Sequence, residues 1–215
     1  MSRLLIGLML LAVPTVVLAQ ASGEKPAGGE AAPPAKAAAP AADYRTYTAK
    51  DFGFSLSLPA SGTITDPASK DWGEEKQVAF VWEGTLDEAK GTYAEPIALI
   101  QGRVDTFGAA IDAEAFKTFC DELLGNWKGD EKKYKVITEN DTLDVDGAKW
   151  NLIQIEDSSD TGGVKVYYSV FSTYKDDSIY TVSMYYMKPI DDEIQGYGAP
   201  VLSGFKVTKA PPAGP

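Results

Sequence analysis

The chain has 215 residues, 44% hydrophobic and 24% charged, with a net charge of −11. This is ordinary globular composition, and its acidity argues against nucleic acid or an anionic membrane surface as partner, because their phosphates would repel it. There is no histidine and Cys120 is the lone cysteine, which excludes Ser-His-Asp triads, Cys-His pairs, His-based zinc sites, intramolecular disulfides and CxxC redox chemistry.

Residues 1–21 have the layout of a signal peptide. Arg3 supplies a positive start, an apolar run follows to Leu18, and Ala19-Gln20-Ala21 gives a small-x-small cleavage pattern, with Val17-Leu18-Ala19 as a second site. The run is short for a bilayer span, so cleavage is expected and no stable membrane span remains. We therefore expect an exported protein, periplasmic or extracellular. No cysteine follows the apolar run, which closes the lipoprotein route. Residues 22–42 are dominated by Ala, Pro and Gly without apolar periodicity, and are expected to be a disordered linker. A single domain is expected over 43–209, followed by a disordered tail at 210–215.

Within that domain, 45–49 and 54–58 predict a hairpin, because Phe54 to Leu58 alternate strictly and Pro59 stops the ladder. The polar stretch 61–75, with Trp72, reads as a surface loop. Strands follow at 77–82 and 96–104. Asp112 is placed to cap a helix over 113–127. Phe116, Cys120, Leu123 and Trp127 form its apolar stripe, widened by Phe119 and Leu124, which predicts burial of Cys120 against a sheet. Short strand pieces are expected at 134–138 and 142–145. Asp146-Gly147 is a hairpin signal. It leads into three runs rich in β-branched and aromatic residues, at 149–156, 164–174 and 179–187, which predict an antiparallel meander. Residues 189–202 predict a short or broken helix starting near Asp191, because Gly196, Gly198 and Pro200 interrupt it. A last strand is expected at 205–208.

Runs of strands with segregated helices indicate an α+β fold. The opening DFGFSLSLP at 51–59, the mid-chain helix, DVDGAKW at 144–150 and the closing VLSGFKV at 201–207 resemble the PsbP-like fold. That superfamily also contains a Ran-binding nuclear import factor and exported bacterial members of unassigned activity. The resemblance implies an antiparallel sheet with helices packed on its faces, an α/β/α sandwich. It also implies a binding or assembly role rather than catalysis. Two departures stand out: the next Trp after the first Pro is Trp72, and Gly204 interrupts the closing Ser-Phe.

The residue inventory leaves carboxylate chemistry, a Ser-Lys arrangement or oxygen-ligand metals. No Gly-rich phosphate loop precedes a helix. The stretch 140–147 lacks the spacing and closing Glu of an EF-hand and reads as a hairpin. The acidic, Gly-rich loop 156–163 offers Asp157 and Asp160 as candidate calcium ligands, although Asp, Ser and Gly are also what plain turns use. Tyr167, Tyr168, Tyr174, Tyr180, Tyr185 and Tyr186 either fill a covered sheet or line a protein- or glycan-binding face. The leading expectation is a monomeric exported non-catalytic domain, without cofactor, acting on a protein or envelope component. The alternatives are a carboxylate-dependent hydrolase and a calcium-binding extracytoplasmic domain.

Overall fold

Strict alternation in Phe54 to Leu58 and a positive φ of 68° at Gly53 fold the opening segment into a hairpin, β1 (Tyr44–Ala49) against β2 (Phe54–Pro59). This is a computed structural model, and it describes residues 43–65, 77–158 and 165–208. The signal-like and linker residues, Trp72, Asp160 and the tail lie outside the described residues.

The polar stretch after Pro59 is not all loop: β3 (Thr63–Thr65) pairs with β4 (Val78–Glu83). A small hairpin, β5 (Leu86–Asp87) and β6 (Thr92–Tyr93), follows, and then β7 (Ile97–Thr106). The helix α1 spans Ala113–Lys128, and Asp112 caps it by accepting from the backbone N of Ala115 at 2.8 Å. The two strand pieces expected next are one strand, β8 (Tyr134–Val145), whose register slips between Val136 and Asp141. Asn140 takes a positive φ of 45° there, so the strand bends without breaking. Asp146 and Gly147, at φ 52° and 80°, turn it into β9 (Ala148–Asp157). The meander continues as β10 (Val166–Lys175) and β11 (Ser178–Tyr186). The interrupted helical stretch gives α2 (Asp192–Gln195), capped by Asp191, and α3 (Gly198–Leu202), before β12 (Lys206–Val207).

These strands make an antiparallel sheet in the order β3-β4-β7-β11-β10-β9-β8, and a small sheet in the order β1-β2-β12. Alternation sorts the main sheet's side chains between two cores. Tyr167, Phe171, Tyr180, Val182, Met184 and Tyr186 face the small sheet, together with Ile194, Val201 and Leu202 of the short helices. Ile153, Ile155, Tyr168, Val170 and Tyr185 face the other way, with Leu124 of α1. The helix lies mainly over the edge strand β8 and reaches β10. One face of the sheet is therefore met by a small sheet with two short helices rather than by a plain helical layer. Along α1, Cys120 and Leu124 are buried, whereas Phe116, Phe119, Leu123 and Trp127 are half-buried. The apolar stripe exists, but its edges reach the rim because the helix sits at the margin of the sheet.

Candidate functional site

Of the two candidate calcium ligands, Asp160 is outside the described residues. Asp157 closes β9, is 5% exposed, and accepts a hydrogen bond from Tyr168 Oη at 2.8 Å. Burial and this carboxylate push the Tyr168 hydroxyl well above the usual phenol range. Among the described residues, no three His, Cys, Asp or Glu side chains gather as a metal site would require. Asp105 receives a two-pronged guanidinium contact from Arg103, and Glu95 accepts from Tyr197 Oη at 3.2 Å. Asp157, Asp105 and Glu95 thus each meet a phenol or a guanidinium.

Five of the six tyrosines are buried in the two cores: Tyr167, Tyr180 and Tyr186 on one face, Tyr168 and Tyr185 on the other. They fill the sheet. Tyr168 and Tyr185 pack edge to face with centroids 4.7 Å apart, and Tyr185 Oη donates to Gln101 Oε1 at 3.3 Å.

A polar row crosses the face turned toward the small sheet. Thr138 Oγ1 donates to Gln154 Oε1 at 2.7 Å, Gln154 Nε2 donates to Ser169 Oγ at 3.2 Å, and Ser169 is hydrogen-bonded to Tyr186. These positions sit on β8, β9, β10 and β11 in order, so successive strands each contribute one member. Tyr186 also lies within electrostatic reach of Tyr44 and Tyr197, which both feel Glu95. Burial first, and Glu95 second, push the Tyr44 hydroxyl up to about 12. Tyr44 Oη and Trp150 Nε1 are buried without a hydrogen-bond partner among the described residues. Nothing in the sequence marks this row, because its members are scattered over five strands and two connections.

Tyr174 is the exception among the six. It ends β10 half-buried, and its ring stacks on Phe116 of α1 with centroids 4.7 Å apart and planes at 34°. The segment between β7 and α1 wraps the turn that follows Tyr174: the backbone N of Phe107 donates to Asp177 O at 2.9 Å, and that of Ile111 to Asp176 O at 2.7 Å. Phe107 is left 38% exposed and Ile111 half-buried. Phe107, Ile111, Phe116 and Tyr174 therefore share one end of the domain, bordered by Asp112, Glu114, Asp176 and Asp177. Sequence reading took Phe116 as core and passed over Phe107, because a single Phe after a strand carries no periodic signal.

No family model matches the sequence, and no curated protein matches it. Solved structures do match. The fold is similar to the solution structure of cyanobacterial PsbP (CyanoP) from Synechocystis sp. PCC 6803, with 12% identity and a TM-score of 0.54 over 77% of this chain and 93% of that one. It is also similar to the Ran-binding protein Mog1p of Saccharomyces cerevisiae, with 11% identity and a TM-score of 0.50 over 78% of this chain and 97% of that one. At such identities the likeness concerns fold and not activity. The likeness to these two structures is that of a PsbP-like fold.

Proposed function

We propose that the chain is an exported, non-catalytic binding or assembly domain acting on a protein or envelope component. The observation that carries this reading is the end formed by Phe107, Ile111, Phe116 and Tyr174, where aromatic surface stays accessible on a rigid frame. Apolar residues gathered at one end mark an interaction site more often than a scatter of single residues does, and here an exposed Phe107 is joined by half-buried Ile111, Phe116 and Tyr174. Fold neighbours agree in kind, since one of them is named for binding Ran. We read the layering as an α/β/α sandwich, with α1 on one face and α2 and α3, beside the small sheet, on the other.

Export rests on the signal-like residues 1–21. The mature protein should begin at Gln20 or Ser22, which mass spectrometry of its N-terminus would read directly. A protein recovered only inside the cell with Met1 in place would refute export. Affinity capture with the full chain from envelope extract should enrich a discrete partner. Capture of nothing, together with substrate turnover by the purified chain, would overturn the binding reading.

A further inference from the structure

We propose that the end of the domain built from the 107–112 connection, the first turn of α1 and the β10–β11 turn docks a basic peptide segment of a partner protein, one with an apolar side chain between its cationic residues. This rests on the binding reading above and gives it a surface and a partner chemistry. The apolar side chain would lie on Phe107, Ile111 and the Phe116–Tyr174 stack. The cationic residues would meet the carboxylates around it.

Those carboxylates carry no counter-charge among the described residues, although one oxygen of Asp177 accepts from Ser178 Oγ at 3.0 Å. Glu114, Asp176 and Asp177 form no ion pair among the described residues, and Asp112 uses one oxygen to cap α1. By contrast Asp105, Asp130 and Glu156 are each met by a basic side chain. Lys175 stands beside the turn and also forms no ion pair among the described residues, so it would turn the partner's cations away from itself and toward Asp112 and Glu114 at the start of α1. The frame is set before binding, because two backbone hydrogen bonds lock the connection to the turn. Little ordering entropy on this side of the interface then remains to oppose docking.

Charge selects among occupants. A second copy of the chain would bring the same carboxylates face to face, and like charges across an interface oppose association. Anionic lipid and nucleic acid are repelled by the same groups and by the net charge of −11. A cationic segment is attracted by both the local ring and the whole molecule.

The test uses the full chain and a fluorescein-labelled hexapeptide, Lys-Arg-Phe-Leu-Arg-Lys, with a Glu-flanked counterpart of the same centre, read by anisotropy. The basic peptide should bind saturably and lose affinity as salt rises, and the acidic one should not bind. Phe107→Ser should weaken binding about tenfold, as truncation of an apolar anchor does. Asp176→Asn should weaken it about threefold, as loss of one peripheral charge does. Asn tolerates the positive φ of 56° at Asp176, so this variant keeps the turn. Leu86→Ser, at an exposed apolar residue on β5, should leave binding unchanged. Binding that survives Phe107→Ser intact, or no binding of the basic peptide, overturns the proposal. A second arm places a photo-crosslinking phenylalanine at position 107 or 86 in envelope extract. An adduct at 107 competed by the basic peptide supports the proposal. A partner caught only at 86 overturns this surface while leaving a binding domain. An adduct of the chain with itself at 107 overturns the basic-segment occupant. Adducts at neither position overturn this surface, and if no partner is captured while the purified chain turns over a substrate, the binding reading falls with it.

Discussion

Cys120 should resist thiol reagents in the native protein. It is 2% exposed, and burial, with Asp121 second, pushes its thiol up to about 12, so the reactive thiolate is scarce at neutral pH. Maleimide labelling should proceed only after unfolding, and rapid native labelling would contradict the packing of α1. Cys120→Ala should be mild, because little volume is removed. Phe116→Ala separates what sequence could say from what it could not. Its place on a helical stripe with Cys120 predicts a core residue, whose truncation would cost about 3–5 kcal/mol. The structure puts it half-buried at the rim, stacked on Tyr174, so the cost should be about 1–2 kcal/mol by chemical denaturation. Periodicity reports which side of a helix is apolar, not how far that side is covered, and coverage depends on where the helix crosses the sheet. Gly102 could not have been singled out from the sequence either. A Cβ there would lie 2.0 Å from the Phe80 ring, a core side chain with no room to move, so Gly102→Ala should markedly lower the melting temperature.

At the scale of elements, α1 was the most legible part, because its signals are local. Asp112 caps it as expected, and Asp112→Ala should cost about 1 kcal/mol. Gly125 lies inside the same helix with nothing within 4 Å of where a Cβ would stand. Gly125→Ala should therefore stabilise the protein by about 0.5–1 kcal/mol through helix propensity and a less flexible unfolded chain, as denaturant titration would show. A loss of stability would mean that this face of α1 is covered. Strands were readable where alternation or a turn signal marked them, as in β2 and at Asp146-Gly147. β8 was divided in sequence because Asn140 and Asp141 look like a break. In the folded chain the irregularity is absorbed as a register slip within one strand, with Asn140 Oδ1 accepting from Asn151 and its amide donating to Asp121 of α1. β5 and β6, two residues each, are too short to carry a period.

For the whole molecule, the pairing of β12 with β2 joins the two ends of the domain and has no local signal, and the same holds for the polar row that ends near Tyr44 and Glu95. That long-range packing has a measurable consequence at high pH. Burial pushes Cys120 from 9.0 up to about 12, and Tyr44 and Tyr180 from 10.0 up to about 12. Burial raises Tyr168, Tyr186 and Tyr197 as well. Each shift favours the protonated form in the folded state. Once pH passes the ordinary value, the unfolded chain gives up protons that the folded chain keeps, and stability falls. This contribution is fully present below about pH 9, begins to be lost there through Cys120 and near pH 10 through the tyrosines, and is spent as pH rises through the folded values near 12. The melting temperature should therefore decline steadily above pH 9, with phenolate absorbance appearing together with unfolding. Lysine neutralisation in an acidic protein would also destabilise at high pH, so a variant must separate the two causes. Tyr180→Phe keeps the ring that packs on Phe54 and Phe205 and removes only the hydroxyl. It should flatten the decline above pH 10 while leaving the lysines untouched. An unchanged slope in Tyr180→Phe would assign the alkaline loss to charge repulsion instead of to phenols held in the core.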